Sequence, residues 1–159
     1  MLKGVSMVKP GYSGGSEKDA TYAKVSTGAT KHAEVTFVEY DPEQISYRDL
    51  LTVFFASHDP TTVNQQGHDV GPQYRSIIFY TTPEQKEEAE RFIKEIDSSS
   101  QEGVPVVTEI EPLDAFFEAE DYHKNYFETH KDAAYCQLII NPKLEKVQKQ
   151  FANLLANNK

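Results

Sequence analysis

Apolar and polar residues alternate with period two from Ala33 to Tyr40, placing Ala33, Val35 and Phe37 on one face and Glu34, Thr36 and Val38 on the other. This predicts a strand, ended by Asp41-Pro42. The period then changes. Ser46 with Asp49 three residues on gives a capping-box start, and Leu50, Leu51, Val53, Phe54 and Phe55 supply the apolar stripe of a helix to about Ser57. Tyr74 to Tyr80 predicts a short apolar strand. Thr82-Pro83-Glu84-Gln85 predicts a second helix start, with Thr82 as N-cap, Pro83 at the first helical position and Gln85 reaching back. That helix runs to about Ile96, and Ser98-Ser99-Ser100 closes it. Val104 to Ile110 predicts a further strand.

Ala115 to His130 carries aromatics at helical spacing, although Phe116, Phe117, Tyr122, Tyr126 and Phe127 cover more than one face. Ala134 to Ile140 predicts a short strand, and Pro142 to Asn157 a terminal amphipathic helix. Residues 1–30 read as loop, because Pro10-Gly11-Tyr12-Ser13-Gly14-Gly15 crowds glycines together and apolar periodicity is missing. The alternation of strands and helices predicts a two-layer α/β or α+β domain with a central mixed sheet. A length of 159 residues fits one domain, 1–159, with room for a real core.

The longest interruption is His58 to Arg75, HDPTTVNQQGHDVGPQYR. Its prolines and glycines break every periodicity, and its side chains are amides, imidazoles, a carboxylate and a phenol. Ordered loops of this length tend to be functional. A loop so equipped holds a small polar group; a solvated connector has the same composition, and the stretch alone does not choose between them.

The net charge of −9 argues against nucleic-acid or anionic-membrane partners, which need a basic face. No apolar run approaches the roughly 18 residues of a spanning helix. A single cysteine, Cys136, excludes an internal disulfide and fits a reducing, cytoplasmic setting. The five histidines have no metal-binding helical spacing and no cysteine pair beside them, so no metal is expected.

Glu34 has two readings. Against aromatic rings, its carboxyl would have a raised pKa and serve as a general acid near neutrality; as an ordinary charged strand residue it would face water. Tyr12, Tyr22, Tyr74 and Tyr126 are phenols able to donate to an oxygen, or amphipathic residues at the edge of the core. Cys136, in an apolar run with no cation beside it, reads as a small inert hydrophobe.

The runs GYSGG (Gly11 to Gly15), TYAKVSTGATKHAEV (Thr21 to Val35), YDPEQISYRDLL (Tyr40 to Leu51), HDPTTVNQQGHDVGPQYRS (His58 to Ser76) and FFEAEDYHKNYF (Phe116 to Phe127) resemble peptide methionine sulfoxide reductase, type A. The resemblance implies an α/β (α+β) roll: a two-layer sandwich around a central mixed sheet, ferredoxin-like at its core, with an exposed shallow site. It also implies thiol-dependent reduction of methionine S-sulfoxide, free or in oxidised proteins. In that chemistry a cysteine thiolate attacks the sulfoxide sulfur, methionine departs, and the sulfenic acid left behind is resolved by another thiol, ultimately thioredoxin. No bound cofactor is implied.

By the same resemblance Glu34 protonates or hydrogen-bonds the sulfoxide oxygen, helped by Tyr22 and Tyr74. Asp69, His123 and Tyr126 line the site and orient substrate or water, and Cys136 matches a position some members use as a resolving thiol. One departure is large. The family's nucleophile lies in a Gly-Cys-Phe-Trp motif on a strand and helix ahead of the stretch matching Gly4 to Gly15. These 159 residues hold no such motif and no tryptophan. The expectation is a chain truncated at its N-terminus relative to the family, keeping the acid half of the site and inactive, or nearly so, by itself. The alternative is a non-catalytic module that binds methionine sulfoxide without reducing it.

Overall fold

The computed structural model describes residues 2–99 and 104–120. The expected strand at Ala134 to Ile140, the helix at Pro142 to Asn157, and His123, Tyr126 and Cys136 lie outside the described residues.

Ten labelled elements follow one another: β1 (Val5–Ser13), α1 (Tyr22–Val25), β2 (Ala33–Tyr40), α2 (Tyr47–Ser57), β3 (Gln65–Gln66), β4 (Asp69–Val70), β5 (Ile77–Tyr80), α3 (Pro83–Ser99), β6 (Glu109–Pro112) and β7 (Phe116–Glu118). The class is α/β. Strands pair antiparallel in the order β2-β1-β7 and in the small β3-β4 hairpin, and parallel in β5-β6.

β2 and α2 follow the sequence pattern closely. Ala33 is fully buried, Glu34 is open, and Val35 and Phe37 are half-buried between exposed neighbours. At the head of α2 the Ser46 hydroxyl accepts from the Asp49 amide while the Asp49 carboxylate accepts from the Ser46 amide, closing the capping box. Before α3, Thr82 Oγ1 accepts from the Gln85 amide as foreseen; the Gln85 side chain reaches one residue further back, to the Thr81 amide. Leu51, Ile78 and Ala89 form a buried cluster where α2 and α3 meet β5, ringed by Tyr47, Phe54, Phe55, Phe92 and Ile110. Phe55 stacks on Phe92 at 5.3 Å.

Within the expected N-terminal loop, Val5–Ser13 is instead the middle strand of the three-stranded sheet. Gly11 and Pro10 read as turn residues, but Gly11 marks a close approach. A Cβ there would stand 2.3 Å from the Phe117 carbonyl oxygen and 2.4 Å from the Phe116 ring. Glycine inside a strand often has this cause. Gly11→Ala is therefore expected to loosen β7 from β1 and to lower stability by about 2 kcal/mol, read from thermal melting. Loss under a few tenths of a kcal/mol would contradict the packing described.

Three further expectations shift. Tyr74 does not open a strand; it ends a 3-10 turn, Pro72–Tyr74, and β5 begins three residues later. The strand expected from Val104 to Ile110 forms at Glu109–Pro112, where parallel partners face Ile77–Tyr80; upstream, the Val107 amide donates to the Pro60 carbonyl instead. Phe116–Glu118 is a strand rather than the start of a helix. Neighbouring rings there go to opposite sides, Phe116 to Phe37 at 5.0 Å and Phe117 to His32 at 5.7 Å, as a period of two requires.

Candidate active site

β2 lies at one end of the three-stranded sheet, and β5 pairs only with β6 among the described residues. Between these two strands lies a hollow of about 1060 Å³. Consecutive residues of both sides line it, Glu34 to Tyr40 and Tyr74 to Phe79, so it runs along strand edges rather than over one face. Most of the wall is apolar. Its polar border includes Glu34, Tyr22, Tyr74 and Gln66.

Each is brought there by a local feature. Glu34 stands directly opposite Tyr12 across the β1–β2 ladder, which puts its side chain on the face of Tyr12 and Phe117. Tyr22 opens the four-residue α1, capped by Thr21 accepting from the Lys24 amide. Tyr74 closes the turn that follows Gly71, whose φ of +148° favours glycine. Asp69 sits in β4, half-buried, in the hairpin that turns at Gly67.

One anchor holds each end of the long loop. The His58 Nδ1–H donates to the Phe54 carbonyl at 2.6 Å, since that oxygen can only accept, and Nε2 meets Ser76 Oγ at 2.8 Å; Ser76 Oγ in turn meets Thr108 Oγ1 at 2.7 Å. This ties the loop's first residue to the residue just past its last. At its far end the Arg75 guanidinium donates to the carbonyls of Lys31, His32 and Pro72 and pairs with Glu109 at 2.9 Å. The turn carrying Tyr74 is thereby fixed to the start of the strand carrying Glu34.

The electrostatics follow. Burial raises the Glu34 pKa above the ordinary carboxylate range, and the charge of Asp69 adds to this. Solvent reaches the residue through the open hollow, yet the surrounding protein removes part of the carboxylate's hydration. Tyr74 is pushed up by burial first, then by Glu34, Asp69 and Tyr22. A phenol in that position stays a donor. These influences bring Asp69 within electrostatic reach of Glu34, and Glu34, Asp69 and Tyr22 within reach of Tyr74.

His32, fully buried, is occupied: its Nδ1 accepts from the Gly15 amide and its Nε2–H donates to the Ser16 carbonyl at 2.7 Å. It supports the glycine loop. No three histidine, cysteine or acidic side chains gather as metal ligands among the described residues. No helix among them is long and apolar enough to cross a membrane. Sequence reasoning passed over Glu120, which lies inside the FFEAEDYHKNYF run; its oxygens accept from the Tyr22 amide at 3.0 Å and from the Tyr12 hydroxyl at 3.2 Å. Only the contact, at separations of 98 and 108 residues, reveals it.

A hollow that raises the pKa of a carboxyl beside phenol donors is suited to an acid-assisted reaction at a polar oxygen. The family model for peptide methionine sulfoxide reductase matches residues 1–155. A peptide methionine sulfoxide reductase MsrA from Sulfolobus acidocaldarius is 53% identical over 150 residues, covering 94% of this chain and 84% of the relative. The one from Chromobacterium violaceum is 48% identical over 156 residues, covering 98% and 89%. Among solved structures, Mxr1 from Saccharomyces cerevisiae in reduced form superposes with a TM-score of 0.77 at 35% identity, over 84% of this chain and 76% of that one. The chain belongs to the peptide methionine sulfoxide reductase family.

Proposed function

We propose that the chain acts on methionine S-sulfoxide, free or in oxidised proteins, with Glu34 giving a proton to the sulfoxide oxygen and Tyr22 and Tyr74 holding that oxygen in place. The observation that supports this most is the shared border of Glu34, Tyr22 and Tyr74 on one hollow, with the Glu34 and Tyr74 pKa values both raised. Burial first, and then the charge of Asp69, favours the protonated form of Glu34. His123 and Tyr126 complete the substrate-binding set by their match to the family motif.

The balance requires two thiols. One attacks sulfur and forms an S–S bond with the second, while the S–O oxygen takes up two protons and leaves as water; sulfoxide becomes thioether and the dithiol becomes disulfide. Thioredoxin or another small thiol supplies the electrons, a cycle suited to the reducing cytoplasm. Glu34 supplies the first proton, because the oxygen leaves readily only once protonated.

Cys136 is the single thiol of these 159 residues. The polypeptide incubated with a methionine sulfoxide peptide and dithiothreitol is accordingly expected to bind the sulfoxide but to reduce it no faster than dithiothreitol alone. That outcome is the inactivity expected of 159 residues with the acid half of the site and one thiol, and a non-catalytic sulfoxide-binding module, the second reading, shares it. Robust turnover would overturn it, and loss of that turnover in Cys136→Ser would then make Cys136 the reacting thiol.

A further inference from the structure

We propose that Glu120 is the positioning residue for Tyr22, an assignment that rests on the role given to Tyr22 above. A helix of four residues cannot hold its own orientation, since one or two intrahelical bonds do not offset the ordering of a turn. The direction of the Tyr22 side chain must come from tertiary ties. Within α1 the Thr21 hydroxyl takes the Lys24 amide; Val25, at the other end of the helix, packs on Tyr12 and Ala119 of the sheet, and the Glu120 carboxylate takes the amide of Tyr22 itself.

Glu120 is itself well anchored. The Ala119 amide donates to the Pro10 carbonyl at 2.9 Å, continuing the pairing of Gly11 with Glu118. Oε2 receives the hydroxyl of Tyr12, which is 2% exposed and stands opposite Glu34 in the ladder. One carboxylate therefore joins the strand that faces Glu34 to the backbone of Tyr22. Through it two of the three groups that meet the sulfoxide oxygen, Glu34 and Tyr22, share one frame.

The test uses the 159-residue polypeptide and N-acetyl-methionine S-sulfoxide methylamide as probe, followed by amide NMR so that affinity and the Tyr22 amide are read together. Glu120→Ala is expected to weaken probe binding about five-fold. In a Tyr22→Phe background the same change should alter affinity less than about two-fold, because the contact it serves is already gone. Exchange of the Tyr22 amide should quicken about ten-fold. Glu120→Gln keeps one acceptor oxygen for that amide and should hold affinity within about three-fold of the parent.

Equal losses in both backgrounds would mean a merely structural role and overturn the proposal, as would unchanged affinity or an unmoved Tyr22 amide in Glu120→Ala. Should Glu120→Ala fail to fold, a folded Glu120→Gln that loses both the protection and the binding overturns it, and one that retains both supports it. Should the parent itself not take up the probe, the sulfoxide reading falls. The tie is then decided by the Tyr22 amide alone: faster exchange in Glu120→Ala supports it, unchanged exchange overturns it.

Discussion

Arg75→Ala is expected to lower the stability of the fold by about 3 kcal/mol and the melting temperature by roughly 10 °C. The guanidinium is mostly buried, with 18% of its side chain exposed, and spends its donors on three main-chain carbonyls and the Glu109 carboxylate. Alanine leaves the carbonyls of Lys31, His32 and Pro72 without that partner at the junction of β2 and the loop. Hydrogen bonds to a charged donor contribute about 1.5–3 kcal/mol each at most, and solvent at Glu109, half exposed, discounts the ion pair. Arg75→Lys should recover only part of the loss, because a single ammonium cannot match the fork of donors. Thermal melting of the three proteins checks this; a shift of under about 2 °C for Arg75→Ala would show that the loop is held by other means.

The second large effect concerns Glu34 and pH. A protonated carboxyl donates to the sulfoxide oxygen, whereas a carboxylate repels it. Affinity for a methionine sulfoxide peptide is therefore expected to fall at least about ten-fold as pH rises through the raised pKa of Glu34 and beyond it by a unit or more. Glu34→Gln, which donates at every pH, should flatten that dependence and bind tighter than the parent on the alkaline side. Folding raises this pKa by burial and by Asp69, so the Glu34 contribution to stability is whole below the unfolded value and is lost as pH rises through the folded one. Glu34→Gln should accordingly melt no lower than the parent near neutral pH, which separates a binding effect from unfolding. An equally steep affinity profile in Glu34→Gln would assign the titration to another group.

How much of this was legible along the chain depended on how local its cause is. β2, the capping box of α2 and the proline start of α3 are written in residues within four positions of each other, and they form where the pattern places them. β1 was not legible, because Gly11 reads as a turn until Phe116 and Phe117, more than a hundred positions away, are packed against it. β7 was mistaken for helix for the related reason that two adjacent rings fit either period until their partners, Phe37 and His32, are known.

The candidate site divides in the same way. Glu34, Tyr22, Asp69 and Tyr74 were singled out through a resemblance of motifs, and the structure sets Glu34, Tyr22 and Tyr74 around one hollow with Asp69 within electrostatic reach. Composition alone favoured Glu34 as a surface residue. What no local pattern carries is the support: the Arg75 fork, the His58–Ser76–Thr108 chain and the Glu120 bridge each join segments that only folding brings together.

The most direct test follows the Glu34 carboxyl by carbon-13 NMR through a pH titration, with and without saturating N-acetyl-methionine S-sulfoxide methylamide. The pKa should lie above the ordinary carboxylate range in the free protein and rise further with the sulfoxide bound, since the bound oxygen favours the protonated form. A Glu34 pKa that does not move when the sulfoxide is bound would contradict the placing of that oxygen at this carboxyl.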